Sequence, residues 1–350
     1  MNSNSRRFLL LDPLRGAAAL AVTLFHCVAV HPHVSESALG RVLLNGWMGV
    51  FIFFPISGYC IAAATQRHLR NGIGSFLGRR WRRIYPPYLA SVALAVTIGV
   101  AALPFNHGSA SAFVMPVGAW ASVLTLTQVF TSYAGRINPV YWSLCYEEQF
   151  YLVMALSLLF TRAQHRTAFL VAISVGALVM NAAGWHLQGF FTDYWIAFAA
   201  GIGVYYCVGD RANRRAGLML LAVCVASAIV LHEVGTFVSL LAASAMLALA
   251  PVDGWFATRA TRTWLKPAFA LGLCSYSLYL IHVPIAGRVV SILLRVGAPV
   301  WLCAALGAAV SIACALLYFR WVERPFLVTR APEVARSLPS SQVQVSAAVV

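Results

Sequence analysis

Ten apolar stretches follow one another along the chain, and short polar segments separate them. A run of about 20 apolar residues is long enough to cross the hydrocarbon core of a bilayer as an α-helix. The pattern therefore predicts an all-α integral membrane protein, a bundle of about ten transmembrane helices, at residues 13–30, 44–65, 87–105, 142–161, 167–185, 190–208, 216–231, 234–250, 268–294 and 300–318.

The basic residues indicate how these helices are oriented. Of the 25 lysine and arginine residues, 20 fall before the first stretch, in every second connection, or after the last stretch. Cytoplasmic loops carry the excess of lysine and arginine in membrane proteins. We therefore expect both the N- and the C-terminus to be cytoplasmic, together with Arg6, Arg7, Arg67, Arg70, Arg79, Arg80, Arg82, Arg83, Arg162, Arg166, Arg211, Arg214, Arg215, Arg259, Arg262, Lys266, Arg320, Arg324, Arg330 and Arg336.

One further apolar stretch, residues 112–129, would put every later basic cluster outside if it crossed the membrane. Its polar side chains suit protein-lined surroundings, so we expect a re-entrant or interfacial segment. We expect residues 1–330 to form a single membrane domain whose first helix is not a cleaved signal. Residues 331–350 are rich in serine, valine and proline and are predicted to form a disordered cytoplasmic tail.

Composition excludes a soluble globular protein. The chain is 61% hydrophobic and 10% charged, and its mean hydropathy is +0.78, values typical of a protein that crosses the bilayer many times. A net charge of +15 would suggest nucleic-acid binding in a soluble protein. Here the basic residues set the orientation, so we expect no nucleic-acid partner. The eight cysteines lack metal-site spacing, and we expect them in the apolar core and expect no metal.

Arg15 and His26 lie eleven residues apart in the first stretch. Because an α-helix turns by about 100° and rises about 1.5 Å per residue, this step puts both side chains on one face, about 16 Å apart. Ionisable side chains inside a membrane span are costly and usually functional. The alternative for His26 is a packed, hydrogen-bonded structural residue.

The connection after the second stretch combines arginine with aromatic residues, from Arg79 to Tyr88. Arginine grips phosphate through two parallel hydrogen bonds, and an aromatic ring can stack on a base or a guanidinium. A phosphorylated cytosolic ligand would fit this segment. The alternative is orientation combined with attraction to anionic lipid headgroups.

Glu147 and Glu148 are adjacent carboxylates inside the fourth stretch. Adjacent positions on a helix point about 100° apart, so the two cannot share one role. Each could pair with a cation, act as a general base or join hydrogen bonds. The predicted depth of both is that of His26, which favours one shared cavity.

Other polar residues interrupt the second, fourth and ninth stretches. Ser57 follows Pro55, and no base near it in sequence supports a role as nucleophile. Tyr276 and His282 either line a cavity or join helices. We expect the substrate cavity to be lined by Ser57, Trp142, Ser143, Glu148, Tyr276 and His282.

Six motifs occur in order between residues 9 and 326. They are Arg15 with His26 after ten residues, Phe53-Phe54 leading to Ser57-Gly58-Tyr59, Arg80-x-x-Arg83-Ile84-Tyr85-Pro86, Trp142-Ser143-Leu144-x-x-Glu147, Ser275-Tyr276-x-x-Tyr279-Leu280-x-His282, and Glu323-Arg324-Pro325-Phe326. Together they resemble membrane-bound acyltransferase family 3, which O-acylates bacterial surface glycans and some natural products. Pro55 and Tyr146 depart from the small or aliphatic residues that are more usual at those positions.

The resemblance implies an acyl-CoA donor, usually acetyl-CoA, used at the cytoplasmic face of a bacterial inner membrane. It implies a hydroxyl acceptor on a carbohydrate, such as surface polysaccharide, O-antigen or exopolysaccharide. It also implies that Arg15 and His26 are essential and that the segment from Arg80 to Arg83 binds the donor. We expect the donor-binding set to be Arg79, Arg80, Arg82, Arg83 and Tyr85.

Our mechanistic hypothesis makes His26 the general base on the acceptor hydroxyl, oriented by Glu147, while Arg15 steadies the thiol end of the donor. A variant in which His26 itself carries the acyl group stays open. Two other classes also stay open: a proton-coupled transporter of a glycan or small solute, and a non-catalytic partner in a glycan-assembly complex. A macrolide or lipid-linked acceptor is a further alternative.

Overall fold

The computed structural model describes residues 8–31, 33–67, 72–105, 113–160, 162–258 and 265–327. Within these ranges all regular elements are helical. The α-helices are α1 (Leu11–Val28), α2 (Ala38–Leu44), α3 (Gly49–Arg67), α4 (Gly72–Ala101), α5 (Val117–Leu124), α6 (Trp142–Ser157), α7 (Ala163–Ala182), α8 (Thr192–Val208), α9 (Arg214–Leu231), α10 (Val234–Leu249), α11 (Asp253–Ala257), α12 (Lys266–Leu273), α13 (Ser275–Arg295), α14 (Val300–Tyr318) and α15 (Arg324–Leu327). The predicted tail at 331–350 and the basic residues Arg6, Arg7, Arg70, Arg259, Arg262, Arg330 and Arg336 lie outside the described residues.

Eight helices in the described part of the chain are long and apolar enough to cross a membrane. They lie at α1, α3, α4, α7, α9, α10, α13 and α14. The prediction of a multi-pass, all-helical membrane protein is therefore confirmed.

The other two predicted spans also form helices, but shorter ones. Helix α6 has 16 residues and α8 has 17, which corresponds to about 24–26 Å at the helical rise. In α8, 13 of the 17 residues are buried. Helices α3, α7, α9 and α10 all pack against it. Protein rather than lipid therefore surrounds α8, which forms the centre of the bundle.

Glycine allows α3 and α8 to touch along their backbones. A Cβ atom on Gly58 would lie 2.1 Å from the carbonyl oxygen of Phe198, and one on Gly201 would lie 1.8 Å from that of Pro55. No side chain fits at those distances, so each helix needs glycine at the crossing. Small residues serve this purpose at helix contacts in membranes.

Two prolines inside helices are each compensated by a side chain from another element. Pro55 has no N–H for the carbonyl of Phe51 four residues earlier, and Ser239 of α10 donates its hydroxyl to that carbonyl at 2.9 Å. Pro284 of α13 leaves the carbonyl of Leu280 free in the same way, and the buried amide of Asn138 donates to it at 2.9 Å. Both polar contacts therefore repair a break in a helix.

One local prediction needs correction. The arginine-rich segment before residue 87 is not a loop but part of the long helix α4. The segment is polar because one face of this helix, with Arg79 and Arg82, is exposed, while Arg80 and Arg83 interact with acidic side chains of other helices. In the stretch at 112–129, the described part holds the eight-residue helix α5, a turn in which Leu126 has φ 55°, and the start of the 3₁₀ turn Gln128–Phe130. Its re-entrant or interfacial placement stays a prediction.

Candidate active site

Arg15 belongs to a polar cluster formed by α1, α3 and α6. Its Nη2 atom donates to Sγ of Cys60 at 3.3 Å. Beside it, Oε1 of Glu147 accepts hydrogen bonds from the hydroxyls of Ser57 and Tyr151, each at 2.5 Å. Electrostatic interactions connect Arg15 with both Glu147 and Asp12. The side chains of three helices thus meet around one guanidinium and one carboxylate, which we call the arginine cluster.

Two arginines of α4 extend this cluster. Arg80 interacts electrostatically with Glu147, Tyr151 and Arg83. Its Nε atom is buried and has no hydrogen-bond partner in the described part of the chain. A buried donor without a partner is costly, so Arg80 has an N–H available for an acceptor atom that a bound ligand would supply.

A further carboxylate of the cluster, the buried Glu323, also interacts with these arginines. Its Oε2 accepts from Ser277 at 2.6 Å, and only 1% of the residue is exposed. Electrostatic interactions join it to Arg83 and Arg15. Glu323 ends the π-helical turn Phe319–Glu323, a feature that often marks functional positions in helices.

The remaining members of the predicted donor set lie on a more open face of α4. Arg79 and Arg82 are exposed, and Arg79 donates only to Ser75, at 3.3 Å. Tyr85 stacks on Trp81, with ring centroids 5.7 Å apart, and donates its hydroxyl to Glu148 at 2.5 Å. The structure thus divides the predicted set: Arg80 and Arg83 point to the cluster, and the others do not.

His26 pairs with His282 across α1 and α13. Nδ1 of His26 lies 2.9 Å from the carbonyl oxygen of Val22 and 3.3 Å from Nε2 of His282. Nδ1 of His282 lies 3.0 Å from the carbonyl oxygens of both Leu278 and Tyr279. His282 is completely buried, whereas His26 is only partly buried.

These contacts fix the tautomers of both neutral rings. A carbonyl oxygen can only accept, so Nδ1 carries the proton in each histidine. Nε2 of His282 is then bare and accepts from Nδ1–H of His26. It follows that Nε2 of His26 is also bare, and no hydrogen bond occupies it in the described residues. A partly exposed imidazole with a free lone pair can take a proton or attack a carbonyl carbon.

The other predicted cavity residues join helices. Ser143 and Tyr279 place their hydroxyl oxygens 2.7 Å apart, and Tyr276 donates to the carbonyl of Ile84 at 3.1 Å. Trp142 packs against Tyr194, with ring centroids 5.2 Å apart. Ser57 and Tyr276 also interact with Glu147, and the common substrate cavity of the predicted set stays a prediction.

Glu147 is not the partner of His26. Its hydrogen bonds in the described structure go to Ser57 and Tyr151, in the arginine cluster, and His282 takes the position that was predicted for it. The depth argument treated Glu147 and His26 as level, but their partners separate them along α1 by the Arg15–His26 step of about 16 Å.

Sequence reasoning missed three members of the site. Tyr151 lies one helical turn after Glu147, a spacing that could have suggested contact. Glu323 belongs to the Glu-Arg-Pro-Phe motif, but nothing in its surroundings pointed to Ser277. Cys60 was assigned to the core with the other cysteines, yet it contacts Arg15.

Most of the chain matches a known protein family. The acyltransferase domain family, acyltransferase family 3, matches residues 9–320. The chain belongs to this family. It therefore carries an acyltransferase domain, and the resemblance seen in the six motifs is confirmed.

Individual relatives agree with the family assignment. BcsY of Komagataeibacter xylinus, by its name a candidate membrane-bound transacylase, is 30% identical over 296 residues, which are 78% of this chain and 72% of BcsY. The peptidoglycan O-acetyltransferase OatA of Listeria monocytogenes is 28% identical over 213 residues, 58% of this chain and 31% of OatA. Protein 2 in the picA locus of Rhizobium radiobacter is 38% identical over 95 residues, 26% of this chain and 46% of that protein. The chain thus spans less than half the length of two of these three acyltransferase-family relatives. No solved structure matches it.

Proposed function

We propose that this enzyme transfers an acyl group, acetyl by default, from acyl-CoA to a hydroxyl of a carbohydrate acceptor such as surface polysaccharide, O-antigen or exopolysaccharide. The observation that carries the proposal is the bare Nε2 of His26 in an acyltransferase-family chain. Relatives named as a transacylase and as a peptidoglycan O-acetyltransferase support acyl transfer to a glycan.

The proposed topology has ten spans, with α6 and α8 completing the eight longer helices. An even number puts both termini on one side, and the basic residues favour the cytoplasm of a bacterial inner membrane. Residue 11 of α1 is then near the cytoplasm, so Arg15 lies toward the inner face. His26 lies toward the outer face, where a surface glycan would arrive.

The arginine cluster is the proposed donor site. Arg80 and Arg83 interact with acidic partners, the buried Nε–H of Arg80 has no hydrogen-bond partner in the described residues, and Arg15 adds a third positive charge. Coenzyme A carries several phosphate groups, and arginine binds phosphate in a bidentate manner. Arg79, Arg82 and Tyr85 lie at the exposed entrance, where they attract the donor electrostatically.

His26 acts on the acceptor in this proposal. Nε2 takes the proton of the acceptor hydroxyl while that oxygen attacks the thioester carbonyl carbon. The carbon–sulfur bond breaks, the thiolate leaves with the electron pair, and the imidazolium returns its proton to the thiolate. The carbonyl of Val22 and His282 hold His26 in the required tautomer, and Arg15, about 16 Å away along α1, steadies the entering donor.

The test uses the full chain in proteoliposomes with radiolabelled acetyl-CoA and neutral oligosaccharides as acceptors. We expect the wild type to label the saccharide, His26→Ala to bind acetyl-CoA without transferring the label, and Arg83→Ala to lose binding. His33→Ala is the matched control because His33 is an exposed histidine of a nearby loop.

Three outcomes would contradict parts of the proposal. Transfer by His26→Ala at the wild-type rate would remove His26 from the chemistry. Label in lipid instead of saccharide would change the acceptor, and lack of acetyl-CoA binding by the wild type would remove the donor. A stable acyl group on His26, detected by mass spectrometry, would replace general base catalysis with an acylated relay.

A further inference from the structure

A cavity of about 350 Å³ lies between the first turns of α8 and α10 and the start of α3. Its lining includes Trp47, Tyr194, Thr236, His186, Asp193 and Glu233. Binding sites for small ligands usually combine such apolar walls with a few converging polar groups. None of these residues belongs to the arginine cluster or to the histidine pair.

The charge of this cavity differs from that of the chain as a whole. The protein has 25 basic and 10 acidic residues, yet two of the acids and none of the lysines or arginines line the cavity. Ionised carboxylates only accept hydrogen bonds. The cavity therefore favours a ligand that is rich in donors and carries no negative charge, which excludes the phosphate-bearing coenzyme.

Aromatic side chains supply flat apolar surfaces beside these carboxylates. Trp47 is 37% exposed, and its ring meets that of Phe51 edge-on, with centroids 5.8 Å apart. Tyr194 lies opposite, its ring centroid 6.2 Å from that of Phe51. A pyranose ring offers C–H faces that stack on aromatic rings and hydroxyls that donate to carboxylates, so a neutral sugar matches both features.

The cavity is held in shape by close packing. A Cβ atom on Gly235 would lie 2.2 Å from Cε1 of Phe51, so glycine lets α10 approach α3 at this point. Nδ1 of His186 lies 3.3 Å from Oδ1 of Asp193, which ties the loop before α8 to its first turn. The carboxylate of Asp193 is therefore positioned without a ligand.

A short segment connects this cavity to the histidine pair. Gly46 packs so closely on α1 that a Cβ atom there would lie 3.1 Å from Cβ of Phe25. The ring of Phe25 in turn meets that of His26, with centroids 4.8 Å apart. Because Trp47 follows Gly46 directly, the cavity lies at the His26 end of the bundle and not at the arginine end.

We propose that this cavity binds one neutral sugar ring of the acceptor while a neighbouring ring presents its hydroxyl to His26. The inference rests on the proposed function and adds the acceptor subsite to it. Binding at a distance from the reacting bond would hold a polymeric acceptor in place without contributing to the chemical step.

The experiment measures acceptor KM, donor KM and kcat in proteoliposomes with oligomers of glucose and of N-acetylglucosamine. The variants are Trp47→Ala and the double variant Asp193→Asn with Glu233→Gln. We expect acceptor KM to rise about tenfold, the effect of weakening two hydrogen bonds to a ligand, with little change in kcat or donor KM. Glu36→Gln, which removes a carboxylate from a different outer loop, should leave all three constants unchanged.

A direct binding measurement separates the two proposals. Calorimetric titration of the same oligomers, with oligogalacturonate as an anionic comparison, should show binding of the neutral saccharides that Trp47→Ala weakens. Saccharide binding of this kind without acetyl transfer would overturn the proposed function and keep the subsite. Acetyl transfer with unchanged acceptor KM in the variants, equal binding of oligogalacturonate, or no saccharide binding at all would overturn the subsite. Binding of Ca²⁺ or Zn²⁺ that Asp193→Asn abolishes would replace the sugar with a metal ion.

Discussion

His26 donates a hydrogen bond from Nδ1 to Nε2 of His282, 256 residues later in the chain, over 3.3 Å. Because His282 is itself anchored to two carbonyl oxygens, it can only accept from His26 in its neutral form. Together with the carbonyl of Val22, which also accepts from Nδ1 of His26, the buried ring of His282 keeps Nε2 of the partly buried His26 free of a proton.

This relationship predicts that His282 acts through His26. In His282→Leu the carbonyl of Val22 is left as the acceptor for Nδ1–H of His26, so the ring is held less firmly in this tautomer and orientation, and we expect kcat to fall by tenfold or more, with the roughly 10⁴-fold loss of a catalytic imidazole held in the wrong tautomer as the upper limit. Donor KM should not change. The measurement is steady-state kinetics together with ¹⁵N NMR of the histidine ring nitrogens, which distinguishes protonated from bare nitrogen.

His282→Gln provides the matched variant because its side-chain oxygen can accept from His26. We expect it to recover part of the kcat that His282→Leu loses. Equal loss in both variants, with unchanged thermal unfolding, would mean that the hydrogen bond to His26 does not set the rate.

The arginines of α4 should fall into two groups. Removing Arg80 or Arg83 deletes hydrogen bonds to a charged ligand, each worth about 1.5–3 kcal/mol, so donor KM should rise by roughly 10- to 150-fold. Arg79→Ala and Arg82→Ala should change it less than about fivefold, because exposed charge pairs contribute about 0–1 kcal/mol. Acetyl-CoA titration of the four variants checks this, and equal effects at all four positions would contradict the division.

Ser57 should support Glu147 and not act as a nucleophile. Ser57→Ala removes one of two donors to Oε1 of Glu147, at a cost of about 0.5–1.5 kcal/mol, so kcat should fall no more than about tenfold. Glu147→Gln removes the negative charge of one of three carboxylates that interact with Arg15, the others being Asp12 and Glu323, and should cost more. Single-turnover assays with Glu148→Gln as the control check this order, and complete inactivity of Ser57→Ala would contradict it.

The glycine crossing of α3 and α8 should matter for stability. In Gly58→Ala the added methyl would meet the carbonyl of Phe198, and such overpacking costs about 1–3 kcal/mol or more. Gly176→Ala is the matched control: it lies in a helix with open space around its Cβ position and should gain up to about 1 kcal/mol from helix propensity. Thermal unfolding in detergent measures both. A stable Gly58→Ala protein would show that the helices can separate without loss.

Hydrophobic patterning was sufficient to predict the class of fold. Runs of apolar residues report on burial in lipid, and each of the ten predicted stretches contains a helix in the described structure. Patterning failed for α4, where Arg80 and Arg83 are helical but face acidic partners. The acidic side chains that interact with these two arginines belong to other helices. The local sequence of α4 therefore gives no sign of them.

The site was less accessible to sequence reasoning, for the same reason. The spacing of Arg15 and His26 follows from helix geometry alone, since both belong to one helix. Their partners do not, because Cys60 and His282 lie on other helices, 45 and 256 residues away. The sequence could not show whether Glu147 contacts His26 or Arg15, because a carboxylate can pair with either side chain. In the structure it lies beside Arg15.

The repaired prolines also affect how the protein is made. The carbonyl of Phe51 finds its donor in Ser239, 188 residues later in synthesis. Until then, no water is present in the hydrocarbon core to donate a hydrogen bond to this carbonyl. In a half-translated chain, the carbonyl of Phe51 therefore lacks the donor that Ser239 supplies in the finished protein. Water or another protein must hydrogen-bond to this carbonyl until α10 is made. Completion of α3 thus depends on the arrival of α10, which makes biogenesis of this enzyme sensitive to truncation far beyond its catalytic helices.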